Sequence, residues 1–227
     1  RSIWVTGVQT CALPIWIVYV HGGPRRQMVL GFHYLDYYHQ HYALNQYLAA
    51  LGYSVLSVNY RTGTMYGRAF RVLPDGEWRG AAEYQDVLAA GRYLIAERGV
   101  DPKRLGIWGG SNGGYLTALA LARNSDVFAA GVDFAGVHDW IADSLRFGDK
   151  PAPVDLDVAR EKAWGASPIA NVAEWRSPVL LIHGDDDRAV PIAQSIQLAA
   201  RLRARGVVVE QLILPDETHS LVGRAHV

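Results

Sequence analysis

Gly109-Gly110-Ser111-Asn112-Gly113-Gly114 is a glycine cluster with one serine at its centre. Arg104-Leu-Gly-Ile-Trp108 ahead of it reads as a buried strand, and Tyr115-Leu-Thr-Ala-Leu-Ala-Leu-Ala-Arg123 behind it as a helix. A strand, a G-x-S-x-G turn and a helix form a nucleophile elbow, a turn too sharp for flanking side chains that leaves one serine protruding. Glycines at 109 and 113 let the backbone bend and let strand and helix approach. The competing reading is a flexible or phosphate-binding Gly/Ser turn, but the stretch carries neither G-x-G-x-x-G nor G-x-x-x-x-G-K-[ST]. Ser111 is therefore the candidate nucleophile.

Upstream, Trp16-Ile-Val-Tyr-Val20 is a continuous apolar run of the kind buried on both faces of a parallel sheet, and it stops at His21-Gly22-Gly23-Pro24. In elbow serine hydrolases an N–H of this loop and the N–H of the residue after the nucleophile bind the oxyanion together, which here points to the amides of Gly23 and Asn112. Residues 33–42 crowd three histidines and four tyrosines together. A metal site is not expected there: His39 and His41 are two apart and share no helix face, and no cysteine or carboxylate pair completes a ligand set. Aromatic packing and a wet loop are the expectation, with pocket lining as the alternative. Leu44, Tyr47, Leu48 and Leu51 then repeat at helical spacing before Gly52, a helix C-cap candidate.

Tyr53–Asn59 reads as a strand, followed by a long glycine-rich connection over 60–80 in which Arg61 and Arg68 are candidates for a substrate carboxylate. Tyr84, Val87, Leu88, Gly91, Leu94 and Ile95 predict an amphipathic helix ending near Gly99. Past the elbow helix, Ala129–Phe134 and Pro178–His183 read as strands, with mixed sequence over 141–175 containing Pro151, Pro153 and Pro168. The second of these strands opens into Gly184-Asp185-Asp186-Asp187. Three adjacent aspartates do not suit a hard-metal loop, which alternates its carboxylates; an acid after a late strand suits the orientation of a catalytic histidine. A helix over 192–205 and a strand over 207–214 follow, and His219 lies just beyond. Serine, acid, histidine is the chain order of α/β-hydrolases.

The totals are compatible with one large domain: 227 residues, half of them apolar, and 22 basic against 22 acidic side chains. This balance gives no support to a nucleic-acid or anionic-membrane partner, and no apolar run approaches the roughly 18 residues of a membrane span. Cys11 alone rules out an internal disulfide framework. Residues 1–15 do not continue the later pattern, and Gly7–Ile15 resembles adapter read-through that recurs in unrelated metagenome-derived translations. They are expected to be a non-native leader rather than a targeting segment, with the domain over 16–227.

With these residues assembled, the chain resembles the catalytic domain of the prolyl oligopeptidase family of serine peptidases, in its dipeptidyl aminopeptidase and acylaminoacyl-peptidase branch. The resemblance runs from Trp16 to Ser220 and rests on His21–Pro24, Asn59-Tyr-Arg61 with Tyr66–Phe70, Trp78–Asp86, Gly109–Tyr115, His183–Val190 and Asp216–His219. It implies an α/β-hydrolase fold, a mostly parallel sheet with helices on both faces. It implies Ser111 as nucleophile, His219 as base and, among the three aspartates, Asp187 as acid. It also implies that Val137, Trp140 and Val190 line the pocket for the residue before the scissile bond, favouring proline, alanine or other uncharged side chains. Two departures stand out. Asn112 replaces a tyrosine common in the branch, which keeps the backbone donor and is expected to change the pocket wall. The family places a β-propeller ahead of the hydrolase domain, which is expected in the parent protein rather than within these residues, and the first strands of the sheet and most of the final helix are expected to be missing too, so the domain reads as truncated at both ends.

The expected activity is hydrolysis of short peptides through an acyl-enzyme, with no metal or organic cofactor. The same constellation also serves carboxylesterases and lipases, and a fold of this kind can persist as a non-catalytic binding module. Compartment and oligomeric state are not legible.

Overall fold

Six strands, all parallel, form one sheet in the order β2-β1-β3-β4-β5-β6 in the computed structural model, which describes residues 15–72, 79–144 and 156–220. They are β1 (Trp16–Val20), β2 (Ser54–Val58), β3 (Leu105–Gly110), β4 (Ala130–Phe134), β5 (Val179–Gly184) and β6 (Val209–Leu214). Each lies within one or two residues of the run that predicts it. Val20 pairs with Gly109 and Gly110 with Phe134, so β1, β3 and β4 end nearly level. The segments leaving them therefore converge at the carboxyl edge of the sheet, where open parallel sheets place their sites.

Helices cover both faces because alternate strand residues point opposite ways. Val18 and Val20 join the main core, with α3 (Ala82–Arg98) and α4 (Asn112–Arg123) packed against it. Tyr19, between them, belongs to a second cluster with Met28, Tyr38 and Trp108, under α1 (Asp36–Ala50). The elbow helix α4 is buried along its length from Asn112 to Ala122. Its leucines and alanines are apolar all round, as a helix sunk in a core requires; each fully buried leucine contributes on the order of 1.5–3 kcal/mol. The remaining elements among the described residues are α2 (Arg68–Arg71), α5 (Trp140–Ser144), α6 (Leu156–Ala166), α7 (Ala193–Ala204) and two 3-10 turns, Pro102–Arg104 and Pro168–Asn171.

The first long helix departs from expectation. It begins at Asp36, absorbing most of the aromatic stretch that suggested a wet loop, and it buries Tyr38, His41 and Asn45. Leu44, Tyr47 and Leu51, whose spacing predicted the helix, are 43%, 61% and 57% exposed. The reason lies in the aromatic residues beneath. Trp108 donates its indole N–H to Asn45 Oδ1 at 3.0 Å, and Tyr19 Oη meets His41 Nδ1 at 2.9 Å. Buried tryptophan and tyrosine need partners for their polar atoms, so the polar face turns inward. Gly52 does follow the helix in a left-handed conformation, φ +93°, as does Gly99 after α3 at +64°. The connection over 60–80 contains α2, while Pro74 and Gly76 lie outside the described residues, as do residues 1–14, Pro151 and Pro153.

Candidate active site

Ser111 sits between β3 and α4 with φ 59° and ψ −120°, a backbone state that side chains rarely adopt. Its own N–H donates to Phe134 O at 2.8 Å and its carbonyl accepts from Tyr115 N at 2.9 Å, which holds the turn. The glycines are required by close approach: a Cβ on Gly109 would lie 2.5 Å from Val20 O, and one on Gly113 would strike the same oxygen and sit 2.9 Å from His21 O. Strand β1, the turn and α4 thus meet backbone to backbone. What protrudes is the serine.

His219 follows β6 and Asp187 follows β5. His219 Nδ1 lies 2.6 Å from Asp187 Oδ2, and the other carboxylate oxygen accepts the N–H groups of Ala189 and Val190 at 2.9 and 2.8 Å. Burial pushes the Asp187 carboxyl up. Hydrogen bonds from His183, His219 and the Val190 N–H outweigh it and hold the group well below the usual carboxylate range. The neighbouring aspartates do other work. Asp185 accepts the Asp216 N–H at 2.7 Å, pinning the segment that leads to His219, and Asp186 pairs with exposed Arg188 at 3.2 Å. Gly184 is tight for the same reason as the elbow, since a Cβ there would meet the Glu217 backbone.

Ser111 and His219 line one cavity of about 380 Å³ with Gly23, Tyr37, Arg26 and Asp36 among its other walls. Among the described residues no hydrogen bond joins the Ser111 hydroxyl to His219; in ligand-free serine hydrolases this contact is often long and tightens with substrate. Gly23 has φ +124°, and Asn112 opens α4, whose first N–H groups have no intrahelical acceptor. Among the described residues neither the Gly23 nor the Asn112 backbone N–H is engaged. The Asn112 side chain turns away from the cavity: it is 6% exposed and donates to Tyr60 Oη at 3.1 Å.

Val137, Trp140 and Val190 are all buried in the main core and do not border this cavity. Trp140 meets Tyr115 edge-on at 5.1 Å and carries the Arg79 guanidinium 4.0 Å above its ring. Arg61 is not free for a substrate: its Nε and Nη2 clamp both carboxylate oxygens of Asp86 at 2.8–3.0 Å. Arg68 is exposed in α2. The three clustered histidines part ways. His33 bonds Gln27 O and the Leu35 N–H, His41 meets Tyr19, and His39 packs on Phe32. A second imidazole–carboxylate pair, His138 with Asp133 at 2.6 Å, is wholly buried and does not line the cavity.

Two residues of the site had gone unassigned. Tyr37 lines the cavity with its ring nearly parallel to His219, centroids 6.3 Å apart; its only signal was membership of an aromatic run. His183 stands behind Asp187, its Nε2 3.3 Å from Oδ2, and nothing in the sequence separates that role from a strand end.

Residues 40–227 match the prolyl oligopeptidase family. An uncharacterized peptidase of Bacillus subtilis (strain 168) is 31% identical over 217 residues, 92% of this chain and 31% of its own length. Dipeptidyl aminopeptidase BIII of Pseudoxanthomonas mexicana is 28% identical over 214 residues, 89% of this chain and 30% of its own. Among solved structures, an acylaminoacyl peptidase in complex with Z-Gly-Gly-Phe-chloromethyl ketone is similar with a TM-score of 0.76 at 30% identity, covering 96% of this chain and 35% of that one. A Mycobacterium tuberculosis puromycin-hydrolyzing peptidase gives 0.78 at 30% identity, covering 94% and 32%. The chain spans about a third of the length of the curated relatives it matches.

Proposed function

The chain belongs to the prolyl oligopeptidase family, and from that premise we propose that it is the hydrolase part of a serine peptidase that cleaves short peptides through an acyl-enzyme. The observation that carries this reading is the 2.6 Å contact of His219 Nδ1 with Asp187 Oδ2, beside a cavity shared with Ser111 on its elbow. With Nδ1–H donating to the carboxylate, His219 keeps the lone pair of Nε2 for the serine proton. Ser111 Oγ attacks the scissile carbonyl as His219 takes its proton; Asp187 holds the tautomer and stabilises the imidazolium. The Gly23 and Asn112 amides receive the oxyanion, an interaction worth roughly 3–4 kcal/mol per donor in serine proteases. His219 then protonates the leaving amine, and water repeats the sequence on the ester.

The puromycin hydrolase and the acylaminoacyl peptidase are similar proteins whose names refer to amide substrates, which supports a peptidase over an esterase. The test is turnover of an alanyl or prolyl peptide anilide beside a short-chain nitrophenyl ester. Cleavage of the anilide, lost in Ser111→Ala, is the expected result; cleavage of the ester alone overturns the peptidase assignment.

A further inference from the structure

Asn59, Tyr60 and Arg61 leave the carboxyl end of β2 in succession, and each ties down a different part of the site. Asn59 grips Met28, its Oδ1 accepting the Met28 N–H at 2.8 Å and its Nδ2 donating to Met28 O at 3.0 Å, which fixes the far end of the loop that starts at His21. Arg61 holds Asp86 in the first turns of α3. Between them Tyr60, fully buried, donates its hydroxyl to His21 O at 2.8 Å and accepts from Asn112 Nδ2 at 3.1 Å. Its ring is stacked on the His21 imidazole, centroids 4.3 Å apart.

The two amides assigned to the oxyanion belong to separate segments. Gly23 leaves β1, Asn112 opens α4, and the paired register of β1 with β3 ends at Val20 and Gly109, short of both. Beyond that point the segments touch through Gly22 against Gly110 O and Gly113 against His21 O, and the Tyr60 hydroxyl adds a hydrogen-bonded link from the backbone two residues before Gly23 to the side chain of Asn112. We propose that Tyr60 is a positioning residue that sets the spacing of the Gly23 and Asn112 N–H groups, so that both reach one developing oxyanion. This rests on the serine-peptidase reading above. Donors stabilise a transition state only where its charge develops, and a displacement of about 1 Å can cost on the order of 100-fold in rate. Burial raises the Tyr60 hydroxyl far above the ordinary phenol range, with the Asn112 hydrogen bond opposing only in part, so the group remains a neutral donor. Asn112 in place of a tyrosine thus has a structural counterpart in Tyr60. Each supplies half of the link.

Tyr60→Phe keeps the ring and removes the hydroxyl. The expected result is a fall in kcat on a peptide anilide of about 10-fold with KM within twofold. Affinity for a peptide boronic acid, which forms a tetrahedral adduct, should fall by the same factor as kcat/KM, while affinity for the product peptide holds. Asn112→Ala, which removes the other half of the link, should give the same pattern, and the double variant no further loss; it serves also if Tyr60→Phe does not fold. A lower Tm with kcat and boronate affinity within twofold of the parent overturns the positioning role. Turnover retained in Ser111→Ala overturns the serine-peptidase reading and this inference with it; an inactive Ser111→Ala beside an unaffected Tyr60→Phe overturns the inference alone.

Discussion

His183 Nε2 lies 3.3 Å from Asp187 Oδ2, the same oxygen that meets His219 Nδ1 at 2.6 Å. The His183 nitrogen also faces Val190 O at 2.9 Å, so it carries a proton, and Nδ1 on the other side meets Ser195 Oγ at 2.7 Å. The carboxylate is therefore held from behind by a buried imidazole whose tautomer is set by the two acceptors at Nε2, with the Ser195 hydroxyl donating to Nδ1. His183→Leu removes that donor and is expected to lower kcat by about 10-fold with little change in KM, because the loosened acid orients His219 less well. His183→Gln, which keeps an N–H, should recover part of the loss. Steady-state kinetics of the two variants checks this.

The three aspartates after β5 should separate cleanly. Asp187→Asn is expected to cut kcat by about 10⁴-fold, since an amide favours the wrong imidazole tautomer. Asp186→Asn alters one half-exposed ion pair and should leave turnover within twofold, about the neutrality expected of a surface pair. Asp185→Asn should fall between, through the Asp216 turn. Equal losses in all three would contradict the assignment.

One substitution at two glycines should act with opposite sign. Gly113→Ala forces a methyl into the Val20 and His21 carbonyls and is expected to destabilise by more than about 3 kcal/mol or to prevent folding. Gly165→Ala, inside α6 with open space around its Cα, should stabilise by about 0.5–1 kcal/mol by relieving the entropy cost of glycine in a helix. Denaturant midpoints measure both.

Stability should decline on the acid side well before carboxylates titrate. Burial lowers His21 and His41 to about 4, so below the ordinary histidine value near 6.5 the unfolded chain takes up protons that the folded chain refuses. Their contribution is complete above that value and is lost progressively as pH falls toward 4. Asp187, held low in the folded state, adds a further loss below the ordinary carboxylate value of about 4. Tm is expected to be level from pH 8 to 7 and to fall between 6.5 and 4, less steeply in His41→Gln.

The strands were legible because a sheet buried on both faces needs continuous apolar runs, and Trp16–Val20 and Val179–His183 are such runs. The elbow turn at Ser111 was legible for a different reason: two backbone collisions leave glycine no substitute at 109 and 113. Features decided across the chain were not. The Leu44, Tyr47 and Leu51 stripe stayed in solvent because Trp108, far along the chain, demanded an acceptor from Asn45. The inward turn of Asn112 depends on Tyr60, and the capture of Arg61 on Asp86. Val137, Trp140 and Val190 came from family resemblance alone, and their place in the core follows from packing that no local pattern encodes.

The proposed chemistry stands or falls with Ser111 as the nucleophile. Its most direct measurement is mass spectrometry of the folded protein after treatment with a fluorophosphonate. One adduct is expected, on the peptide carrying Ser111, abolished in Ser111→Ala and slowed in Asp187→Asn. A folded sample that takes up no adduct, or labels equally in Ser111→Ala, would contradict it.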